Sequence, residues 1–352
     1  MQGQVNHFMQ RFGLRVPILL APMAGACPPA LSAAVASAGG LGACGALLLS
    51  PDQIAAWAQA MRRASNGPFQ INLWVPDAPP QRDPGEEAAV RAFLAEWGPP
   101  VPPEAGGAPL QDFKAQCDAV LQTGPAVVSS IMGLFSHEFV AALKARGVLW
   151  LATVTTVAEA LAAEAAGADA VVAQGIEAGG HRGAFVADAA ERGQAGLFAL
   201  VPAVVDAVRI PVVAAGGIAD ARGVAAALLL GASAVQIGTG FLRCPEAGIA
   251  PAWADALPYT TPDRTEVTRA FSGRAGRGIR TAYVTAAAAG PPPAPYPVQR
   301  GLTSGMRAHA VTVNDLDRMQ AWAGQAAALA QAQPAGPLTS ALWSGASALL
   351  QW

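Results

Sequence analysis

One histidine of this chain stands in a glycine-rich segment that could bring it close to a bound molecule. The segment reads Glu177-Ala-Gly-Gly-His-Arg-Gly183, and His181 is one of four histidines in 352 residues. Glycine lets the backbone approach a ligand, and an imidazole with an ordinary pKa of about 6.5 can exchange a proton at neutral pH. His181 is therefore the candidate catalytic residue, although a structural role fits the segment equally well.

Two further glycine-rich segments could bind a phosphate group. Gly216-Gly217 and Gly238-Thr239-Gly240 each follow a short apolar run and precede an alanine-rich stretch. Glycine exposes backbone N–H groups, and the N-terminal end of a following helix attracts an anion. The alternative is that these glycines only form tight turns, but two such segments together favour a phosphate site.

Other residues near these segments are weaker candidates. Glu177 could orient His181 or cap a turn, and the residues favour the structural role slightly. Arg274, Arg277 and Arg280 could bind an anion, although a solvated loop is the favoured interpretation. The tryptophans, including Trp322, are expected to pack in the core or at its rim. Trp74 is the exception: it follows Asn72 at a strand end, so it is the candidate for a ring on which a ligand stacks.

Eight short apolar runs alternate with alanine- and leucine-rich segments. The runs cover residues 17–21, 41–44, 69–75, 126–130, 148–153, 170–174, 211–215 and 234–238. Uninterrupted apolar strands are typical of parallel sheets covered on both faces. Helical segments such as 155–167 begin at a polar residue and end at glycine. The pattern predicts an α/β fold, a (β/α)8 TIM barrel, with an open doubly wound sheet as the alternative.

This barrel would gather the candidate residues at one end. The sequence Pro22-Met-Ala-Gly25 follows the first strand, Asn72 lies in the third and residues 174–183 follow the sixth. The two glycine segments follow the seventh and eighth strands, where barrels commonly bind phosphate. We therefore predict the active site at the carboxyl ends of the strands.

The rest of the chain is predicted to decorate the barrel. The barrel would span residues 1–243, with an insertion at 76–110 that is rich in proline, glycine and acidic residues. Residues 244–310 would form a small subdomain or lid-like excursion, and residues 311–352 would form C-terminal helices that pack on the barrel.

Composition excludes several classes of partner. The net charge is −2 with 53% hydrophobic residues, so no nucleic acid or anionic membrane is expected as a partner. The uncharged runs 16–51 and 223–242 are broken by proline, glycine or polar residues, which disfavours membrane spans. The N-terminal residues lack a signal-peptide pattern. A homodimer remains an open alternative for the assembly.

Cysteine usage points to a reducing compartment. Cys27, Cys44, Cys117 and Cys244 are scattered and form no CxxC pair. Structural zinc and a disulfide framework are therefore disfavoured, and a cytoplasmic location is expected.

The ordered motifs resemble the nitronate monooxygenases, formerly called 2-nitropropane dioxygenases. The motifs are Pro22-Met-Ala-Gly25, Ala38-Gly-Gly-Leu-Gly42, Gln70-Ile-Asn-Leu73, Glu177-Ala-Gly-Gly-His-Arg-Gly183, Pro211-Val-Val-Ala-Ala-Gly-Gly-Ile218, Gln236-Ile-Gly-Thr239, Phe271-Ser-Gly-Arg274 and Trp322-Ala-Gly-Gln325. They extend over nearly the whole chain. They are highly specific for the superfamily and less specific for the substrate.

The resemblance implies a bound flavin mononucleotide (FMN) and no metal. The implied FMN residues are Pro22, Met23, Ala24, Asn72, Gln174, Gly179, Gly180, Ala215, Gly216, Gly217, Gln236, Ile237, Gly238 and Thr239. His181 would lie beside the flavin as catalytic base or substrate contact. The implied reaction is oxidation of alkyl nitronates, with nitroalkanes as a further class, by O2 to a carbonyl compound and nitrite.

The implied chemistry agrees with the residues in two ways. A carbon acid needs a base, and an anionic nitronate is favoured near a protonated histidine. The chain departs from many relatives after the fourth strand, where Ile131 and Met132 stand near the place of a second histidine. This departure concerns the particular substrate more than the cofactor.

Two alternatives share the same motifs or barrel. A flavin reductase that uses NADH or NADPH, of the quinone reductase or enoyl-acyl-carrier-protein reductase type, resembles the motif around His181 and needs no separate dinucleotide fingerprint. A non-catalytic barrel that binds FMN or phosphate is the second alternative. The retained His181 disfavours it.

Overall fold

The computed structural model describes residues 1–107 and 109–352 and contains a (β/α)8 barrel, as predicted. In chain order the strands are β1 (Ile18–Leu20), β2 (Gly42–Gly45), β3 (Phe69–Trp74), β4 (Val127–Ile131), β5 (Leu149–Val154), β6 (Ala170–Gln174), β7 (Gly180–His181), β8 (Val212–Ala215), β9 (Ala234–Ile237), β10 (Thr265–Thr268) and β11 (Gly276–Ile279). Eight of them form the barrel, in the order β1-β9-β8-β6-β5-β4-β3-β2, and all neighbours are parallel. A parallel bridge between Leu19 and Leu41 joins the two ends of the sheet.

Helices surround the barrel and follow the strands as expected. Their bounds are α1 (Gln2–Phe12), α2 (Pro29–Ser37), α3 (Pro51–Ala64), α4 (Pro84–Leu94), α5 (Phe113–Thr123), α6 (His137–Lys144), α7 (Val157–Ala165), α8 (Leu197–Ala207), α9 (Ala221–Leu229), α10 (Pro251–Ala256), α11 (Ala282–Ala288), α12 (Val298–Leu302), α13 (Ser304–Thr312) and α14 (Ala335–Leu350). In α7 the Thr156 side chain accepts a hydrogen bond from Glu159 N at the N-terminus. No helix in the described part of the chain is both long and apolar enough to cross a bilayer.

One end of the barrel is sealed by α1. Phe8 and Phe12 stack on each other and pack against inward-facing strand residues such as Leu19 and Val213. Alternate residues of each strand point outward and pack against the surrounding helices. Because α1 covers the amino ends of the strands, a cavity can open only at their carboxyl ends.

The segments outside the barrel pack together more closely than the sequence indicated. Val90 and Leu94 of α4 share one buried cluster with Phe271, Tyr283 and Met306. The segment after β3 and the segment that follows β9 were predicted as separate excursions. In the structure they form one layer, because each has an apolar face that needs a partner.

The chain between α13 and α14 differs from the helical tail predicted for residues 311–352. Residues 313–334 contain short 3₁₀ turns and an isolated bridge between Trp322 and Gly278 instead of helix, although alanine is frequent there. Asn314 has a left-handed backbone conformation, and Gly324 and Pro334 further disfavour helix. This segment crosses the open end of the barrel, whereas α14 packs against α9 and α2.

A small antiparallel sheet holds His181. The strands lie in the order β10-β11-β7, and His181 pairs with Gly276 of β11. The excursion after β9 therefore supplies the strand that fixes the backbone of the candidate catalytic residue.

Candidate functional site

One large cavity opens at the carboxyl ends of the barrel strands. All of the residues predicted to bind cofactor line it except Ile237, and His181 lines it as well. Ile237 is 1% exposed and packs in the outer core. Side chains alternate along a strand, so Gln236 points into the barrel and Ile237 points away from it. The side chain of Ile237, which was predicted to bind the cofactor, therefore does not line the cavity.

The amide of Asn72 presents an oxygen to the cavity. Its Nδ2 donates to the Ser129 carbonyl at 3.3 Å and lies 3.0 Å from the Ser129 hydroxyl. A carbonyl can only accept, so this contact fixes which end of the amide is nitrogen. Asn72 Oδ1 has no hydrogen bond to any described residue. It is therefore positioned to accept one from a ligand.

The amide of Gln236 presents its nitrogen, a hydrogen-bond donor, to the cavity. Gln70 Nε2 donates to the Leu20 carbonyl at 3.1 Å, and the same nitrogen lies 3.2 Å from Gln236 Oε1. The Gln236 oxygen is thereby used as an acceptor. Its Nε2 remains as a donor toward the cavity. Asn72 and Gln236 therefore offer one acceptor and one donor to a bound molecule.

Gln174 holds the backbone of the segment that contains His181. Its Nε2 donates to the His181 carbonyl at 3.0 Å, and its Oε1 accepts from Gly183 N at 2.8 Å. Arg182 reinforces this region by donating to the carbonyls of Gln174 and Gly193. Gln174 was predicted as a cofactor residue, and in the structure both ends of its amide hydrogen-bond the backbone on either side of Arg182, which fixes the position of His181.

The first glycine segment has a backbone that needs glycine. Gly216 has φ 116° and Gly217 has φ 65°, in the left-handed region where a side chain is strained. Asp220 caps the following α9 by accepting a hydrogen bond from Gly223 N. The segment thus places exposed backbone shortly before the N-terminal end of α9, an arrangement that suits a phosphate group.

The C-terminal segment is anchored on the other glycine loops. Gly324 N donates to Thr239 Oγ1 at 3.0 Å, and Gln325 N donates to the Glu177 carbonyl at 2.9 Å. A Cβ on Gly179 would lie 2.5 Å from Gly324 N, so this contact leaves no room for a side chain. The motif around Trp322 is therefore part of the site.

Aromatic rings surround His181. Trp74 and Trp322 present their rings at centroid distances of 4.9 Å and 5.1 Å, both in edge orientation. Tyr296 stacks on Trp74 at 4.9 Å. Trp74 and Trp322 both line the cavity, although Trp322 was expected to serve only as packing. These rings create an environment of low polarity around the imidazole.

This environment lowers the pKa of His181 to about 3. Burial is the largest cause, and the positive charges of Arg274, Arg300 and Arg307 add to it. Burial and these charges therefore disfavour the protonated histidine that was expected beside an anion. His181 is neutral at physiological pH and can act as a proton acceptor.

Arginines supply the positive charge instead. Arg300 and Arg307 line the cavity, and Glu177 is the only carboxylate that lines it among the described residues. Arg307 is held by hydrogen bonds to Gln320 Oε1 and to the Arg300 carbonyl. No described residue accepts a hydrogen bond from the Arg300 guanidinium. The cavity near His181 therefore has a positive electrostatic potential.

The arginine-rich loop after β10 is not the solvated loop that was favoured. Arg274 is 2% exposed and forms an ion pair with Asp77 after β3. Arg277 donates to the Ile176 carbonyl and to Thr265 Oγ1. Only Arg280 is exposed, because the other two turn inward to satisfy polar groups between the layers.

Sequence reasoning missed several residues around His181. Ser272 Oγ lies 2.7 Å from His181 Nε2. Arg300 of α12 and Arg307 of α13 line the same cavity, and Tyr296, from the loop before α12, stacks on Trp74. Ser272 belongs to the motif 271–274, which was used only for the resemblance. The other three follow no strand, so the rule that barrel sites lie after strands could not find them.

The neutral state of His181 predicts a pH dependence of stability. The unfolded histidine takes up a proton as the pH falls below about 6.5, whereas the folded one stays neutral down to about 3. Stability is therefore lost as the pH falls through this window. From about pH 7.5 to about pH 5.5 the flavin-free protein should lose about 1 kcal/mol of unfolding free energy that His181→Asn does not lose. Urea unfolding of both proteins measures the difference, and parallel pH profiles would contradict it.

The residues at the cavity fit FMN. The backbone of 216–217 at the start of α9 suits a terminal phosphate. Asn72 and Gln236 offer one acceptor and one donor, which match the mixed polar edge of an isoalloxazine ring. Apolar groups of Met23 and Ala215 line the same space. The polarity and charge of the lining thus agree with a flavin nucleotide.

Comparison with known proteins places this chain in a family. A sequence model of the family "Nitronate monooxygenase" matches residues 6–345. The chain is 42% identical to a nitronate monooxygenase of Pseudomonas aeruginosa over 96% of this chain and 98% of the relative. It is 40% identical to one of Paraburkholderia phytofirmans, covering 94% and 92%.

A solved structure agrees with this assignment. The nitroalkane oxidase of Streptomyces ansochromogenes matches with a TM-score of 0.89 and 35% identity, over 98% of this chain and 99% of that chain. The reductase alternative is therefore not favoured. The chain belongs to the nitronate monooxygenase family and is an oxidoreductase.

Proposed function

We propose that this chain oxidises alkyl nitronates, and neutral nitroalkanes after deprotonation, with FMN as cofactor and O2 as oxidant. The products would be a carbonyl compound and nitrite. The observation that carries the proposal is that His181 lies between Trp74 and Trp322 in a cavity that Arg300 and Arg307 also line. Burial and the nearby arginines lower the pKa of His181 to about 3, which favours its neutral form. Such a cavity attracts an anion and still contains a free base.

Several groups would bind the cofactor. The backbone of Gly216 and Gly217 would donate to the FMN phosphate, and Asn72 Oδ1 and Gln236 Nε2 would hydrogen-bond the ring. When bound, FMN would supply the capacity to take electrons from the substrate and pass them to O2, which no side chain has.

The remaining residues would bind and orient the substrate. Arg300 and Arg307 would favour the negative charge of a nitronate, because no described carboxylate pairs with either guanidinium. Trp74 and Trp322 would exclude water and hold the reacting carbon next to the imidazole. With a neutral nitroalkane, His181 would accept the proton from the carbon beside the nitro group.

An anaerobic titration tests the proposal. Flavin absorbance of the purified protein is followed while a nitronate is added without O2, and in a separate sample while NADH is added. We expect the nitronate to bleach the flavin and NADH to leave it oxidised. Bleaching by NADH alone would instead support a nicotinamide-dependent reductase. Readmission of O2 should restore the absorbance and release nitrite in the nitronate sample.

A further inference from the structure

The ring of His181 contacts one hydroxyl group, that of Ser272. The other hydrogen bonds of this hydroxyl determine which nitrogen of the imidazole carries a proton. His181 Nε2 lies 2.7 Å from Ser272 Oγ, and Ser272 is 1% exposed. Either atom can supply the proton of this bond, since a neutral histidine carries hydrogen on one of its two nitrogens. The surroundings of Ser272 therefore determine which nitrogen carries it.

The single proton of the Ser272 hydroxyl is used by the backbone of its own turn. Ser272 Oγ donates to the Arg274 carbonyl at 3.1 Å and accepts from Arg274 N at 3.3 Å. In the described chain this carbonyl has no other donor. If the hydroxyl proton pointed at His181, a buried carbonyl would be left unsatisfied, which is unfavourable.

The turn itself cannot easily rearrange. Arg274 is buried and paired with Asp77, and its Nη1 donates to the Ala184 carbonyl at 3.1 Å. On the other side, Thr303 Oγ1 donates to the Phe271 carbonyl. Both flanks of Ser272 are thus fixed by side chains from other elements, so the position of its Oγ is fixed as well.

We infer that Ser272 holds His181 in the neutral tautomer protonated at Nε2, which leaves Nδ1 as the atom that accepts a proton from substrate. No described residue hydrogen-bonds Nδ1, and His181 lines the cavity. The hydrogen bond from Gln174 to the His181 carbonyl and the pairing of His181 with β11 fix the backbone of His181, so the ring stays at the cavity. Ser272 is in this sense a positioning residue, because it acts through His181. The catalytic part of this inference rests on the proposed function.

Nitrogen NMR of the histidine side chains tests the tautomer directly. The protein with bound flavin is labelled with ¹⁵N in its imidazoles, and the His181 signals are assigned by their loss in His181→Asn. We expect a protonated Nε2 and a bare Nδ1 in the wild-type protein. A bare Nε2 with a protonated Nδ1 would overturn the inference, and this result needs no serine variant to fold.

The variant Ser272→Ala tests whether Ser272 determines the tautomer of His181. We expect the single tautomer to be replaced by a mixture, and a tautomer as pure as in the wild type would show that Ser272 does not determine it. Ser32→Ala is the matched control. Ser32 is also buried and donates to a backbone carbonyl, that of Ala43, at 2.6 Å, but it contacts no histidine. The His181 signals should be unchanged in this control.

Kinetics then connects the tautomer with the reaction. Ser272→Ala should lower kcat for a neutral nitroalkane by about 10-fold with little change in KM, and should spare the ionised nitronate. Ser272→Thr retains the hydroxyl and should restore most of kcat. A rise in KM alone, or equal losses on both substrates, would overturn the role in proton acceptance. If the wild-type protein turns over neither substrate while Nδ1 is bare, the proposed function fails and the tautomer assignment stands.

Discussion

Replacement of His181 by asparagine should lower the activity on neutral nitroalkanes much more than the activity on nitronates. Asparagine is close to the imidazole in size but has no basic nitrogen. We expect kcat/KM for a neutral nitroalkane to fall by about 10² to 10⁴-fold, the range typical for loss of a general base. A nitronate prepared by prior ionisation needs no base, so its kcat/KM should change little. Steady-state assays of nitrite release with both forms of one compound measure the contrast.

The contrast has a clear physical basis in this cavity. His181 has a pKa of about 3, so it is neutral at assay pH, and its removal changes no charge. Binding of the anionic substrate, which we propose to depend on Arg300 and Arg307, should therefore persist. Nitronate turnover should still require the flavin.

A matched control excludes a general effect of replacing histidine. His137 begins α6 and is exposed outside the cavity, so His137→Asn should leave both activities unchanged. Equal losses of nitroalkane and nitronate activity in His181→Asn would contradict the role as base. Such a result would indicate that His181 contacts the substrate in the step that both forms share.

Replacement of Gly217 by glutamate should strongly weaken FMN binding. The new carboxylate would lie where the phosphate is expected, and a Cβ at this position would lie 3.3 Å from the Glu177 side chain. Two like charges brought together cost about 3 kcal/mol or more, which corresponds to about a hundredfold loss of affinity. Flavin retained after gel filtration and fluorescence titration with free FMN measure the effect.

The backbone strain of this replacement needs its own control. Gly217 has φ 65°, and a side chain there costs about 1 kcal/mol or more. Gly248 has nearly the same φ, 63°, and a Cβ on it meets nothing within 4 Å. Gly248→Glu should therefore lose similar stability but retain flavin. Normal flavin content in Gly217→Glu would refute the phosphate site at this loop.

The barrel could be predicted from the sequence because its signals are local. Each strand is a short apolar run buried on both faces, and each helix has its own start and stop residues, so the pattern requires no knowledge of distant contacts. The glycines at 216–217 were identified for the same reason. Their left-handed backbone is a property of the residue itself.

The state of the candidate base was decided only by the tertiary structure. The sequence places His181 in a glycine loop, but its low pKa arises from burial and from arginines that lie more than 90 residues further along the chain. Likewise Arg274 is buried because Asp77, from another excursion, pairs with it. Local composition contains no signal for contacts of this range.

The sequence by itself determined the fold. It also placed the candidate site at the carboxyl ends of the strands and selected His181 as the candidate base. The tertiary structure decided that this histidine is neutral, that arginines from α12 and α13 supply the charge, and that Trp322 and Ser272 contact its ring. The physical reason is that strands and turns are specified by neighbouring residues. Electrostatics and burial depend instead on every group that the folded chain brings within a few ångströms.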